Sequence, residues 1–178
     1  MWNYRIVVSK TYDVWDCLFF DNGGQNIDKW DTSKGSGLVI TYPNNEYTQI
    51  ANTNVISSTS SYLCSSVDIS GDWEAIIECN IPSYASNVGE YFGIRNFTID
   101  KQTIWRATQT GWRYYKLRRV NGEYIGFVKI NESDEWQTIN PEYNHLTENQ
   151  QGQFCFSIYN PTEAEHSIQF KNLKIYQI

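Results

Sequence analysis

The segment Trp112-Arg113-Tyr114-Tyr115-Lys116-Leu117-Arg118-Arg119 is the densest run of chemically capable side chains in the 178-residue chain. If it is extended, successive side chains point to opposite faces. Trp112, Tyr114, Lys116 and Arg118 then share one face, and Arg113, Tyr115, Leu117 and Arg119 the other. Tyr115 and Leu117 make a core pair on the second face. The first interleaves aromatic rings with cations. A sugar suits such a surface, because its C–H faces stack on rings while charged groups bond hydroxyls or pair with acidic substituents. Trp105 and Arg106 on the preceding extended run, and Tyr91 one run earlier, would extend the platform. Two competing readings use the same residues: a sheet face with Lys and Arg stems lying over aromatics, or a protein–protein surface.

Catalytic groupings are sparse. Glu74 and Glu78 fall on one strand face with Ile76 between them, about 13 Å apart by strand rise. That is too far for either a retaining or an inverting carboxylate pair, and they read as a solvated outer face. Glu132 and Asp134 share a parity in a polar turn. His145 and His166 fall in predicted polar loops, with no Ser-His-Asp spacing, nucleophile elbow or phosphate-cradling glycine loop. No catalytic residue is assigned and no enzyme is expected. Cys17, Cys64, Cys79 and Cys155 form no CxxC pair and no zinc spacing. With no secretory leader they read as buried thiols rather than disulfides. The sequons at Asn96-Phe97-Thr98 and Asn131-Glu132-Ser133 read as chance matches.

The bulk numbers narrow the partners. A formal charge of −6 opposes nucleic-acid binding, which needs a basic surface for counterion release. No run is apolar enough to span a membrane. The first residues lack the charged and apolar regions of a signal peptide, so cytoplasmic synthesis is expected, with a virion or phage particle as one destination. Seven Trp, thirteen Tyr and eight Phe exclude a disordered chain.

Strand signals that could position these residues run from end to end. The expected extended runs are Tyr4 to Ser9, Asp16 to Phe20, Gly37 to Tyr42, Tyr47 to Ala51 and Ser61 to Val67, the last as an exposed strand. Trp73 to Ile81 puts Trp73, Ala75, Ile77, Cys79 and Ile81 on one face. Tyr91 to Asn96, Thr103 to Thr108, Trp112 to Val120 and Tyr124 to Ile130 follow. Asn121-Gly122 predicts a type I′ hairpin between the last two, and Thr110-Gly111 a second hairpin turn. Gln151 to Tyr159 turns Phe154, Phe156 and Ile158 inwards. Ser167 to Ile178 changes phase, which a bulge near Lys171-Asn172 would reconcile. Trp30, Trp73 and Trp136 are expected in the core. Eleven to thirteen short strands without a helical period predict one domain over 1–178, an all-β, two-sheet antiparallel sandwich.

Three segments carry a family resemblance. Leu18-Phe19-Phe20-Asp21-Asn22-Gly23-Gly24 with Trp30, the hairpin from Trp112 leading to Glu135-Trp136, and Ile168-Gln169-Phe170-Lys171-Asn172-Leu173-Lys174-Ile175-Tyr176 appear in order. Together they resemble the concanavalin A-like lectin/glucanase, or laminin-G-like, jelly rolls. The resemblance implies a jelly roll. It does not choose among lectins, carbohydrate-binding modules, hydrolases, lyases and particle domains. The hydrolases of that family carry E-x-D-x-E or E-x-D-x-x-E on one strand, whereas Glu74 to Glu78 has Ile76 at the centre. A calcium ion is common among the sugar binders, held near both chain ends. Asp21 matches the opening position, but Lys171-Asn172 stand where an acid would be expected.

The first expectation is therefore a non-catalytic, lectin-like domain that binds carbohydrate, such as a polysaccharide or cell-surface glycan. The alternative is a structural or receptor-binding domain of a virus or phage particle (fibre, baseplate or decoration component), with homo-oligomer assembly. A glycoside hydrolase with a displaced acid pair is the third.

Overall fold

A computed structural model describes residues 17–23, 27–33, 37–52, 61–83, 89–147, 150–159 and 166–178. The strand expected over Tyr4 to Ser9 lies outside them. The described residues form fourteen strands: β1 (Cys17–Asp21), β2 (Trp30–Asp31), β3 (Leu38–Thr41), β4 (Thr48–Asn52), β5 (Ser61–Ile69), β6 (Trp73–Ile81), β7 (Gly89–Asn96), β8 (Lys101–Ala107), β9 (Gly111–Val120), β10 (Glu123–Lys129), β11 (Gln137–Ile139), β12 (Tyr143–Asn144), β13 (Gly152–Tyr159) and β14 (His166–Gln177). Two short 3-10 turns, Ile27–Lys29 and Pro43–Asn45, supply the described helix. Among the described residues no helix is long and apolar enough to cross a membrane.

The strands form two antiparallel sheets. The first runs β11-β10-β9-β6-β14-β4-β3, and β1 also pairs with β14. The second runs β12-β8-β7-β13-β5-β2. One flank of each strand packs between the sheets, as period-2 burial requires. Trp73, Ala75, Ile77, Cys79 and Ile81 are all buried, and so are Tyr115, Leu117, Phe154, Phe156 and Ile158. At the centre Phe156 stacks on Phe170 at 4.0 Å, and Trp30 meets Phe170 edge-on.

Local chemistry sets the turns. Asn121 (φ 52°) and Gly122 (φ 81°) both hold the positive φ of a type I′ turn, joining β9 to β10 with Val120 opposite Glu123. In β14 the register against β6 shifts between Lys171 and Lys174, with Asn172 at φ 53°. This bulge lets Ile168 and Phe170, then Leu173 and Ile175, all face inwards despite their opposite parity.

The connection at Thr110-Gly111 differs from its expectation. It joins β8 in the second sheet to β9 in the first, so it passes the chain between layers and closes no hairpin. The dipeptide fixes a tight turn; which sheet receives the next strand depends on distant pairing. β5 is also not an exposed strand, since it lies between β2 and β13 with Leu63, Cys64, Ser65 and Ile69 buried.

The cysteine expectation is corrected. Cys64 and Cys155 sit opposite each other on β5 and β13 and are disulfide-bonded, closing a sequence separation of 91. Only the pairing of remote strands brings them together. Cys17 and Cys79 are free thiols.

Candidate functional site

The outward row of β9 is as regular as its sequence, because the strand is held on both sides. Trp112, Tyr114, Lys116 and Arg118 stand opposite Asn80, Glu78, Ile76 and Glu74 of β6. On the other side Tyr114, Lys116 and Arg118 stand opposite Lys129, Phe127 and Ile125 of β10. Cross-strand neighbours on one face lie close enough to interact, and here they pair ring with cation and acid with base. Lys171 lies 4.6 Å over the Trp112 ring and 3.4 Å from Glu78. Lys129 lies over Tyr114 at 5.4 Å and over Trp136 at 4.9 Å. Lys116 sits over Phe127 and Trp136, and Arg118 pairs with Glu74 at 3.0 Å.

All four side chains of this row are half-buried. Tyr47 meets Trp112 edge-on at 5.6 Å and fixes the indole. Beside it, Asn80 donates to Gln169 at 2.6 Å and Gln169 to Gln49 at 2.7 Å, an amide ladder across β6, β14 and β4. A groove of about 360 Å³ lies over Trp112 and Tyr114, bordered by Glu78, Lys171, Asn131 and Glu132. Rings on its floor, amides beside it and charges at its edge can stack a sugar and bond its hydroxyls.

The rest of the expected platform lies elsewhere. Tyr91, Trp105 and Arg106 belong to the second sheet, because β8 does not neighbour β9. Trp105 is fully buried, facing Phe92 across β7 and β8, so it is a core residue. Tyr91 is buried edge-on to Tyr143. Arg106 lines a larger cavity of about 700 Å³ at one mouth of the sandwich, with Arg113, Tyr115, Val128, Trp136 and Glu142. Arg113 and Ile130 border both cavities.

Trp136 was expected in the core but is half-buried between Lys116 and Lys129. It follows a polar turn, where no period could place it. Lys129 and Lys171 were not expected at the site, although Lys171 was placed at the bulge of the last strand. Lys171 could have been found, since the bulge it opens lets Asn172 donate to Glu78 at 2.7 Å.

The acidic candidates are occupied. Glu74 is not solvated but buried against Arg118, and Glu78 is held by Lys171 and Asn172. Ile76 lies between them. Asp134 accepts from the backbone and side chain of Asn131 in an exposed turn, as expected for a polar turn. His145 is exposed, as expected. His166 is not in a loop: it opens β14, buried, with Nδ1 3.3 Å from the Glu90 carboxylate. Burial lowers the His166 pKa. Burial also pushes Glu90 up to about 7, against lowerings from a backbone hydrogen bond and from Arg106. The Cys79 thiol and Tyr115 phenol are likewise raised by burial.

Among the described residues no group of three or more His, Cys, Asp or Glu side chains gathers to hold a metal ion, and Asp21 is buried. Its two carboxylate oxygens accept N–H bonds from Gly23 at 2.7 Å and from the Trp30 indole at 2.5 Å. These two bonds pin the β1–β2 turn, each using one acceptor site of the carboxylate.

Comparison with solved structures decides the architecture. The β-1,3-glucanase of Mycobacterium marinum superposes with a TM-score of 0.59 at 9% identity, covering 90% of this chain and 98% of that one. The fold is the concanavalin A-like jelly roll. The immunostimulatory antigen and pseudo β-1,3-glucanase of Mycobacterium tuberculosis gives 0.63 at 6% identity, covering 92% and 99%. A Bacillus subtilis protein of unknown function with a galectin-like fold gives 0.57 at 9%, covering 90% and 96%. No family model and no curated protein matches the chain. At such identities the shared property is the jelly roll, and function must be argued from the face of the first sheet.

Proposed function

We propose that the chain is a non-catalytic carbohydrate-binding domain whose glycan lies across Trp112 and Tyr114. The observation that carries this reading is the groove over those two rings, floored by aromatics and bordered by Lys171, Glu78 and the 131–132 turn. Jelly rolls named for β-1,3-glucanase and pseudo-glucanase superpose on the chain, which supports a sugar as the ligand class.

The non-catalytic part rests on the carboxylates. Glu74 and Glu78 are each neutralised by a cation, and Ile76 separates them. Two carboxylates on one strand face, each tied to its own cation, do not stand at the separation that a retaining or inverting pair needs. The particle reading drew on four free cysteines, and two of the four, Cys64 and Cys155, are bonded to each other.

A glycan array of bacterial and plant polysaccharides, followed by calorimetry, tests the proposal. At least one glycan should bind, and Trp112→Ala or Tyr114→Ala should weaken it about tenfold, the loss expected for a buried aromatic anchor. Silence across the array, or binding indifferent to both substitutions, removes it.

A further inference from the structure

The mouth cavity is chemically unlike the outer groove. Arg113 shares the inward parity of Tyr115 and Leu117, and it lies where β9 opens the first sheet. One Nη donates to the Trp112 carbonyl at 2.9 Å. Its Nε is buried without an acceptor, as it is in several other arginines, but unlike Arg95 and Arg118 it has no carboxylate partner among the described residues. A guanidinium whose Nε faces no partner in a partly desolvated place is a costly arrangement, and it is relieved by an anion able to accept two parallel bonds. Arg106 and Lys129 line the same cavity, and so do three acids, Asp134, Glu135 and Glu142, all of them exposed. Trp136, Tyr115, Val128 and Ile139 supply apolar wall.

We infer that this cavity binds the carboxylate of a uronic acid residue, with Arg113 as its forked partner, and that it continues the groove over Trp112. The inference rests on the carbohydrate reading above and names the class of sugar. The continuity is structural: Arg113 and Ile130 line both spaces. A saccharide stacked on Trp112 and Tyr114 therefore reaches Arg113 at the end of the sheet. A carboxylate there pairs with the guanidinium while the adjoining ring contacts Trp136.

Calorimetric titration with matched oligosaccharides tests this. The probes are short galacturonate, glucuronate and mannuronate oligomers and the carboxyl-reduced neutral form of each. In at least one pair the acidic form should bind about tenfold tighter than its reduced partner, the gain expected of a charge-assisted fork. Arg113→Gln should bring that ratio to within about threefold, and Arg113→Lys should leave an intermediate ratio, since an ammonium keeps charge but loses the fork. Near-UV circular dichroism of each variant checks folding, and the ratio rather than the affinity is the readout. Equal binding of acidic and reduced forms overturns this inference and leaves the carbohydrate reading standing. An acidic preference that survives Arg113→Gln also overturns it. If neither form of any pair binds, this inference is overturned, and the glycan array decides the carbohydrate reading separately.

Discussion

The Lys171 ammonium lies 4.6 Å over the Trp112 ring and 3.4 Å from the Glu78 carboxylate, so one cation caps the ring and neutralises the acid beside it. A ligand that stacks on that face must displace the lysine. Lys171→Ala should therefore raise affinity for a neutral glycan by about two- to fivefold, because a partly exposed cation–π contact is worth only about 0.5–1 kcal/mol. Stability should fall by less than about 1 kcal/mol, as for an exposed ion pair. Calorimetry and urea melts read the two effects. Weaker neutral-glycan binding would show that Lys171, at the groove's border, contributes more by bonding the ligand than it costs by covering the ring.

The disulfide gives a second prediction. Cys64–Cys155 closes a separation of 91 residues. Loop-closure entropy assigns such a bond about 4–5 kcal/mol. The Cys64→Ala/Cys155→Ala double variant, or the wild type under strong reductant, should lose stability on that order in urea titration. A loss below about 1 kcal/mol would mean that the bond adds little.

The third concerns pH. Glu90 is raised from 4.5 to about 7, so the folded protein holds its proton more tightly than the unfolded chain. Its contribution is neutral below pH 4.5 and turns unfavourable as pH climbs, reaching its full cost above about 7. His166 has the opposite sign, since its lowered pKa costs stability as pH falls through 6.5. Glu90→Gln should then stabilise the protein at pH 8 relative to pH 5, by an amount on the order of 2–3 kcal/mol. A pH-independent effect in thermal melts counts against this assignment.

Core packing supplies a fourth. A methyl group added at Gly126 would lie 2.4 Å from the Trp105 indole nitrogen and 2.9 Å from Ile139. Gly126→Ala should cost about 1–3 kcal/mol, as overpacking does. It should also shift the fluorescence of the buried Trp105. An unchanged urea midpoint would contradict the packing described.

Features set by neighbours in the chain were legible in the sequence. Trp73 to Ile81 is inward at alternate residues because period-2 burial needs no knowledge of the partner strand. Asn121-Gly122 demands positive φ at both positions, and the phase change in β14 demands a bulge at Asn172. The row Trp112, Tyr114, Lys116 and Arg118 was legible for the same reason. What was hidden depends on distant pairings. Cys64 meets Cys155, and His166 meets Glu90, only after β13 takes its place between β5 and β7 and β14 crosses the other sheet. Trp105 left the platform because β8 pairs with β7, a choice that no local period records.

The most direct measurement is an amide and indole NMR shift map, recorded while the best-binding glycan is titrated in. The Trp112 indole and the backbone amides of residues 111–116 should move together, along with Lys171 and the 131–132 turn. A third, smaller cavity lies on the second sheet around Asp31, Arg95 and Gln153, and shifts confined to it would contradict the account.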